Sequence, residues 1–420
     1  MKRICLLLSL PALALLLTSS TPRSDYSWIK EGIDTAHGQL LAAAEASLDS
    51  DQFPCSVTTF YSREDWDWQM GRPAAQNYEP EEATPPQLHT WNFTDWRSGF
   101  FPGSLWLTWE FTGDPKLKEM AEVYTKRMEP IRTVTGTHDI GFMAYCSYGQ
   151  ALRLSPADSV VTILHECADN LCTRFSEPIG CIRSWNSQKW NFAVIIDNMM
   201  NLELLFHESA VTGDPKYRDI AVTHARTTMR NHFRPDMTTW HVVSYNDDGT
   251  IQTKCTAQGL NDDSAWARGQ AWGFYGYTMS YRETGDKAFR KQARRIARMI
   301  MKKVRTEDKI PYWDYNAPAD PRTPRDASAA AITASAMIEL STLVPCGSKY
   351  FKYGEKILKS LSSPDYLAEP GTNFNFVLKH SVSGLPGRVE VDSALNYADY
   401  YYLEALGRYM RVKGLTYSDL

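Results

Sequence analysis

Three copies of one tripeptide constrain this chain more than any other feature. They stand at Thr112-Gly113-Asp114, Thr212-Gly213-Asp214 and Thr284-Gly285-Asp286. Each follows an apolar stretch with helical spacing and precedes a charged, amphipathic one. Glycine takes up the left-handed conformation that ends a helix, and aspartate caps the next. Each copy therefore reads as a corner between two helices. Extending the pattern gives six pairs. The first members, residues 98–111, 140–154, 198–211, 267–283, 327–343 and 393–412, are apolar nearly all round, which implies burial on most sides. Their partners, residues 27–48, 115–128, 157–175, 215–230, 287–304 and 349–361, are amphipathic, and Arg294-Arg295 and Lys302-Lys303 mark a solvated face.

Six buried and six amphipathic helices in alternation predict an all-α fold, an (α/α)6 barrel with an inner ring wrapped by an outer one. Repeats of this kind bury their faces only by stacking. Residues 21–420 are therefore expected to form a single domain, the last inner helix closing against the first outer one. Strand signals are confined to residues 239–245 and 250–253, with Asp248-Gly249 as their turn. In such a ring all inner helices run the same way, so their N-termini meet at one mouth. Asp95-Trp96, His138-Asp139, Asp197, Trp266, Asp326 and Asp392 stand just before inner helices and are expected there. The helix dipoles add a positive field that suits an anionic ligand.

Composition narrows the function. The formal net charge is −4, with 45 basic against 49 acidic residues, so nucleic acid is not an expected partner. Thirteen Trp, 22 Tyr and 16 Phe are rings that suit sugar faces or simply fill a core. Lys2 and Arg3, an apolar run from Ile4 to Leu17, and Thr18-Ser19-Ser20 read as a secretory signal peptide over residues 1–20. Export, to the periplasm, is the expectation, with no stable membrane insertion after cleavage. Removing Cys5 leaves seven cysteines without metal-ligand spacing, so mostly buried thiols are expected. His165-Glu166-Cys167-Ala168-Asp169 lacks the second histidine of a zinc helix, and no metal or cofactor is expected.

Asp139, Asp197, Asp326 and Asp392 all occupy cap-like positions, and capping alone would explain them. Asp139 and Asp197 differ in starting consecutive inner helices, within His138-Asp139-Ile140-Gly141-Phe142 and Ile196-Asp197-Asn198-Met199-Met200-Asn201. Two carboxyls facing across a small gap cannot both ionise easily, which gives one proton donor and one carboxylate. That is the working pair of glycoside chemistry. The densest motif runs from Gln258 to Trp272 and places Arg268 between Trp266 and Trp272 in sequence. A guanidinium there matches a carboxylate or stacks in a packed helix start. His241, beside Trp240, and His380, after Lys379, are further polar candidates.

With these residues the chain resembles the unsaturated glucuronyl hydrolases, glycoside hydrolase family 88. The resemblance is carried by Trp96-Arg97-Ser98-Gly99-Phe100-Phe101-Pro102-Gly103, the stretches at His138 and Ile196, the Gln258–Trp272 motif, and Tyr397-Ala398-Asp399-Tyr400-Tyr401. It implies hydration of the C4–C5 double bond that polysaccharide lyases leave on a non-reducing-end uronic acid, followed by loss of the glycosidic bond. It implies Asp197 as general acid/base and Asp139 as its partner. It also implies Gln258, His241 and Arg268 as substrate contacts, with Arg268 on the uronate carboxylate. Trp96, Trp266 and Trp272 would be walls, and Lys379, His380 and Ser381 would lie on the aglycone side. Relatives that favour sulfated sugars carry Ser and Lys near this loop, whereas here Ser383 is followed by Gly384-Leu385-Pro386. The rivals are an unsaturated rhamnogalacturonyl hydrolase, disfavoured by the Trp266–Trp272 stretch with Gln270, and a noncatalytic periplasmic sugar-binding barrel, which needs no acid pair. A sugar epimerase on the same barrel would want histidine pairs.

Overall fold

The computed structural model describes residues 26–59, 61–71 and 85–420. The leader read over residues 1–20 lies outside them. All three Thr-Gly-Asp corners form as their chemistry dictates. Gly113, Gly213 and Gly285 take φ of 70°, 74° and 66°, and Asp114, Asp214 and Asp286 accept from the backbone N–H groups of Lys116, Lys216 and Ala288.

Fourteen α-helices are present among the described residues. The chain enters through α1 (Ser27–Ala46) and a short α2 (Arg63–Met70). The inner ring follows as α3 (Phe100–Thr112), then α5 (Ile140–Ala144), a π turn (Tyr145–Gly149) and α6 (Gln150–Leu154) as one interrupted helix, then α8 (Asn198–Thr212), α10 (Ala267–Thr284), α12 (Ala327–Leu343) and α14 (Asn396–Lys413). Each packs on the next, and α14 closes on α3. The outer ring is α1, α4 (Pro115–Arg127), α7 (Asp158–Cys172), α9 (Pro215–Asn231), α11 (Lys287–Lys303) and α13 (Ser348–Leu361). The expected barrel is therefore the observed one. The first outer helix meets the last inner one where Gly32 lies under the Tyr402 hydroxyl and Trp28 packs edge-on against Tyr409. Residues 393–395 do not begin the last inner helix as expected. They leave a hairpin, β8 (Ser381–Gly384) and β9 (Val389–Ser393), and the helix starts three residues later.

The remaining strands line the mouth. Antiparallel β1 (Phe53–Thr58) and β2 (Gln87–Trp91) brace β9, and β3 (Phe175–Ser176) pairs with β4 (Cys181–Ile182). A three-stranded sheet runs β5–β6–β7 (Phe192–Ile195, Val242–Tyr245, Ile251–Cys255). Its β6–β7 hairpin is the one read in the sequence, whereas β5 was not. The far end of the ring is tied by partly buried charge: Arg282 pairs with Glu203 and Glu339, and Arg408 with Glu339 and Glu404. All seven described cysteines are free thiols.

The inner helices approach closely. A Cβ placed on Gly141 would stand 2.5 Å from the Asn201 Cα on the neighbouring helix. Overpacking of this kind costs roughly 1–3 kcal/mol. Gly141→Ala is therefore expected to lower the urea midpoint more than Asp286→Ala, which loses a cap of about 1 kcal/mol. Equal effects in parallel denaturation curves would show that the helices have room to part.

Candidate active site

Aspartates preceding the inner helices divide by backbone geometry. Asp326 is extended, and its Oδ1 accepts from the N–H groups of Ser328 and Ala329 at 3.0 and 3.3 Å. It is a helix cap. Asp139 and Asp197 hold helical backbone angles and cap nothing. Their carboxyls are free of that duty. Asp392 is not a cap either: it sits in β9 and accepts from His380 Nδ1 at 2.6 Å, both side chains exposed.

Sheet register brings Asp197 to its neighbour. Ile195 pairs with Val242, and the Ile196 N–H donates to the His241 carbonyl at 3.0 Å. One residue on, His241 Nε2 lies 3.7 Å from Asp197 Oδ2. The ring's tautomer follows from its other side. Backbone N–H groups of Ala257 and Gln258 donate to Nδ1 at 3.1 and 3.3 Å, so the proton sits on Nε2 and faces the carboxyl. Burial, with the Arg268 charge, pushes His241 down to about 3, so it stays neutral.

Asp197 is 9% exposed, and its Oδ2 is buried with no hydrogen-bond partner. Burial is the main cause that raises its pKa to about 7; Arg268 pulls it down, and the Asp139 charge pushes it up again. The two carboxyls therefore sense each other. Asp139 is held by the Thr137 hydroxyl, which donates to Oδ2 at 2.8 Å, and by His138, whose Nε2 lies 3.3 Å from Oδ1. A raised pKa alone does not mark the site. Asp399 is also pushed to about 7 by burial, but its oxygens accept from the N–H groups of Val377 and Leu378.

Arg268 is 1% exposed and stacked on Trp266, 4.5 Å from the ring centroid, with Tyr397 at 5.3 Å. It donates to the carbonyls of Val382 and Ser383 and faces Asp326 Oδ2 at 3.4 Å. The cap thus also anchors the cation. Gln258 donates through Nε2 to the same Ser383 carbonyl at 3.0 Å. Both residues therefore grip the β8 loop. Trp266 lies between Arg268 and His241, 4.7 Å from the imidazole centroid. Trp96 is half-buried against Phe100, Phe142 and Tyr397. Trp272 is fully buried against Phe142 and Tyr401, so it is floor rather than wall, and its indole N–H turns toward Asp197. His380 reaches the rim, and its carbonyl accepts from the Ala327 N–H at the start of α12. Gln270 is buried and spent on Thr239 and Trp266, a structural duty.

Three further residues at the site were not singled out from the sequence, although Tyr397 and Asn201 lie within stretches that carry the family resemblance. Trp185 meets His241 edge-on at 5.7 Å, Tyr397 lies between Trp96 and Arg268, and Asn201 touches His138. Among the described residues no three His, Cys, Asp or Glu side chains gather as a metal site.

Residues 66–402 match the family model of Glycosyl Hydrolase Family 88, and residues 1–72 match a domain of unknown function. An unsaturated glucuronyl hydrolase of Formosa agariphila is 43% identical over 340 residues, covering 80% of this chain and 85% of that relative. A solved unsaturated glucuronyl hydrolase described as specific for heparin superposes with a TM-score of 0.85 at 45% identity, covering 93% and 99% of the two chains. A Streptococcus agalactiae variant complexed with dGlcA-GalNAc6S superposes at 0.73 with 27% identity, covering 93% of each. The helical ring, the uncapped aspartate pair and these matches together place the chain in glycoside hydrolase family 88.

Proposed function

We propose that this chain releases an unsaturated uronic acid from the non-reducing end of lyase-generated glycosaminoglycan oligosaccharides, by adding water across the C4–C5 double bond. One observation carries the reading: a buried Asp197 carboxyl, poised near pH 7 beside Asp139, has an oxygen with no other partner. A group with that pKa both gives and takes a proton at neutral pH. Protonated Asp197 delivers its proton to C4, and positive charge develops at C5 and the ring oxygen. The resulting carboxylate takes a proton from the water that attacks C5, which restores the acid. The C5 hemiketal opens, and the glycosidic bond breaks with it. One water is consumed, and Asp197 ends as it began.

The other residues serve that step. Asp139 holds the sugar hydroxyls and keeps the Asp197 proton in place by its charge. Arg268 supplies the positive charge against which the uronate carboxylate settles, assisted by the dipoles of the inner helices. Gln258 and neutral His241 offer hydrogen bonds, Trp96 and Trp266 flank the ring, and His380 stands toward the aglycone. Residues 1–20 direct export to the periplasm, and residues 21–420 work as one domain. N-terminal sequencing of the mature protein from the periplasmic fraction checks both the compartment and the cleavage point.

The test is incubation with lyase-made disaccharides from chondroitin, hyaluronan, heparin and pectin, following loss of the double-bond ultraviolet absorbance. Glycosaminoglycan products are expected to be consumed. Consumption of the pectin product alone would favour the rhamnogalacturonyl reading, and no consumption would remove the reaction. Asp197→Asn is expected to abolish turnover with the fold intact, and wild-type rates in it would remove the mechanism. Arg268→Ala is expected to weaken binding of the charged sugar, and unchanged affinity would place the carboxylate elsewhere.

The raised pKa also has a stability consequence. The Asp197 carboxyl moves from its ordinary value of 3.8 in the unfolded chain to about 7 in the folded one, so the folded state holds the extra proton between those values. Its contribution is present below about pH 4 and is lost as pH rises through about 7. Asp197→Asn has no proton to lose. Its melting temperature should exceed that of the unmodified protein at about pH 8 by more than at about pH 5, as thermal melts at both values will show.

A further inference from the structure

The support under Asp139 has a donor order fixed by its surroundings. Asn201, on α8, accepts through Oδ1 from the Phe142 backbone N–H at 2.8 Å. Its Nδ2 is thereby the end that faces His138 Nδ1, at 3.2 Å. An amide N–H can only donate, so Nδ1 must be bare. His138 is fully buried, and burial lowers its pKa, so the ring is neutral with its one proton on Nε2. That N–H lies 3.3 Å from Asp139 Oδ1, unaligned for a finished hydrogen bond. Asn198 does not compete for that proton: its Nδ2 donates to the Ile182 carbonyl at 2.8 Å, and its Oδ1 is buried without a hydrogen-bond partner.

We propose that Asn201 is a positioning residue for the acid pair: through Phe142 it fixes the His138 tautomer and so keeps an N–H donor aimed at Asp139. The arrangement mirrors the other carboxyl, where backbone N–H groups of Ala257 and Gln258 fix His241 and point its Nε2–H at Asp197. Both N–H groups and Asp197 Oδ2 are buried without partners. Long, poorly aligned contacts of this kind are common in catalytic sites before substrate binds. The groups around His138 and Asp139 are the Thr137 hydroxyl, Asn198, the charges of Arg174 and Asp197, and the imidazoles of His224 and His241.

This inference rests on the proposed hydration chemistry, but its first test needs no substrate. Imidazole nitrogen NMR of the full-length enzyme reads the tautomer: His138 should show a bare Nδ1 and a protonated Nε2. A protonated Nδ1 would overturn the proposal, whatever the enzyme turns over. The second test reverses the amide. In Asn201→Asp the carboxylate accepts from Phe142 and also demands the Nδ1 proton, so Nε2 is stripped. The expected loss is about 10- to 100-fold in kcat with KM nearly unchanged, the range for partners one shell out. The acid limb of the pH–rate profile should move to higher pH as the pair loses a donor. Adding His138→Gln should restore much of the rate, because a glutamine amide offers an N–H with no tautomer to flip. Wild-type kcat and pH profile in Asn201→Asp, or a double variant no better than the single one, would overturn the proposal. If Asn201→Asp does not fold, the NMR reading on the unmodified enzyme still decides.

Discussion

Everything at this site depends on six inner helices running in one direction. That constraint sends every N-terminus to one mouth and every C-terminus to the other end. It gives the mouth a positive field and a rim of residues that precede helices. It also makes the mouth narrow, because helices bearing Gly99, Gly103 and Gly141 approach until a Cβ would strike the neighbouring backbone. A narrow, dry mouth is what lifts the Asp197 pKa. In water its carboxyl would ionise and hold no proton at neutral pH.

The ring was legible because its signals are local. A glycine in the left-handed region followed by a capping aspartate is a short-range instruction, and three identical corners repeat it. The interrupted helix 140–154 read as continuous, since its π turn leaves the hydrophobic pattern unbroken. β5 was not legible, because a short apolar run carries no period that separates a strand from a buried helix start. The late start of α14 has the same origin: Asp392-Ser393-Ala394 resembles Asp263-Ser264-Ala265 in sequence, and neither is a cap.

The site was legible in part. Asp139, Asp197 and Asp326 occupy equivalent sequence positions, and nothing in residue type tells a cap from a free carboxyl. The difference is a backbone angle: extended at Asp326, helical at the other two. Arg268 was found for its charge, but not its fixing. The sequence could not show that Asp326, the one true cap of the three, spends its second oxygen on that guanidinium. Asp326 and Arg268 are therefore joined, and the start of α12 helps to hold the charge that tunes Asp197.

The aromatic excess also gains a physical reading. Trp106 and Trp313 are fully buried away from the acid pair, and donate their indole N–H groups to Thr125 and Gln69. They fill space. Trp266, Trp272 and Tyr397 are buried too, yet they touch His241, Asp197 and Arg268. Their first task there is exclusion of water, which holds the Asp197 pKa up near 7 and gives the Arg268 charge a long reach. Trp96 and Trp185, half-buried at the rim, combine a ring with access from outside. Rings at the mouth thus differ in what they can do: the buried ones act through the dielectric around Asp197, and the half-buried ones are open to a ligand.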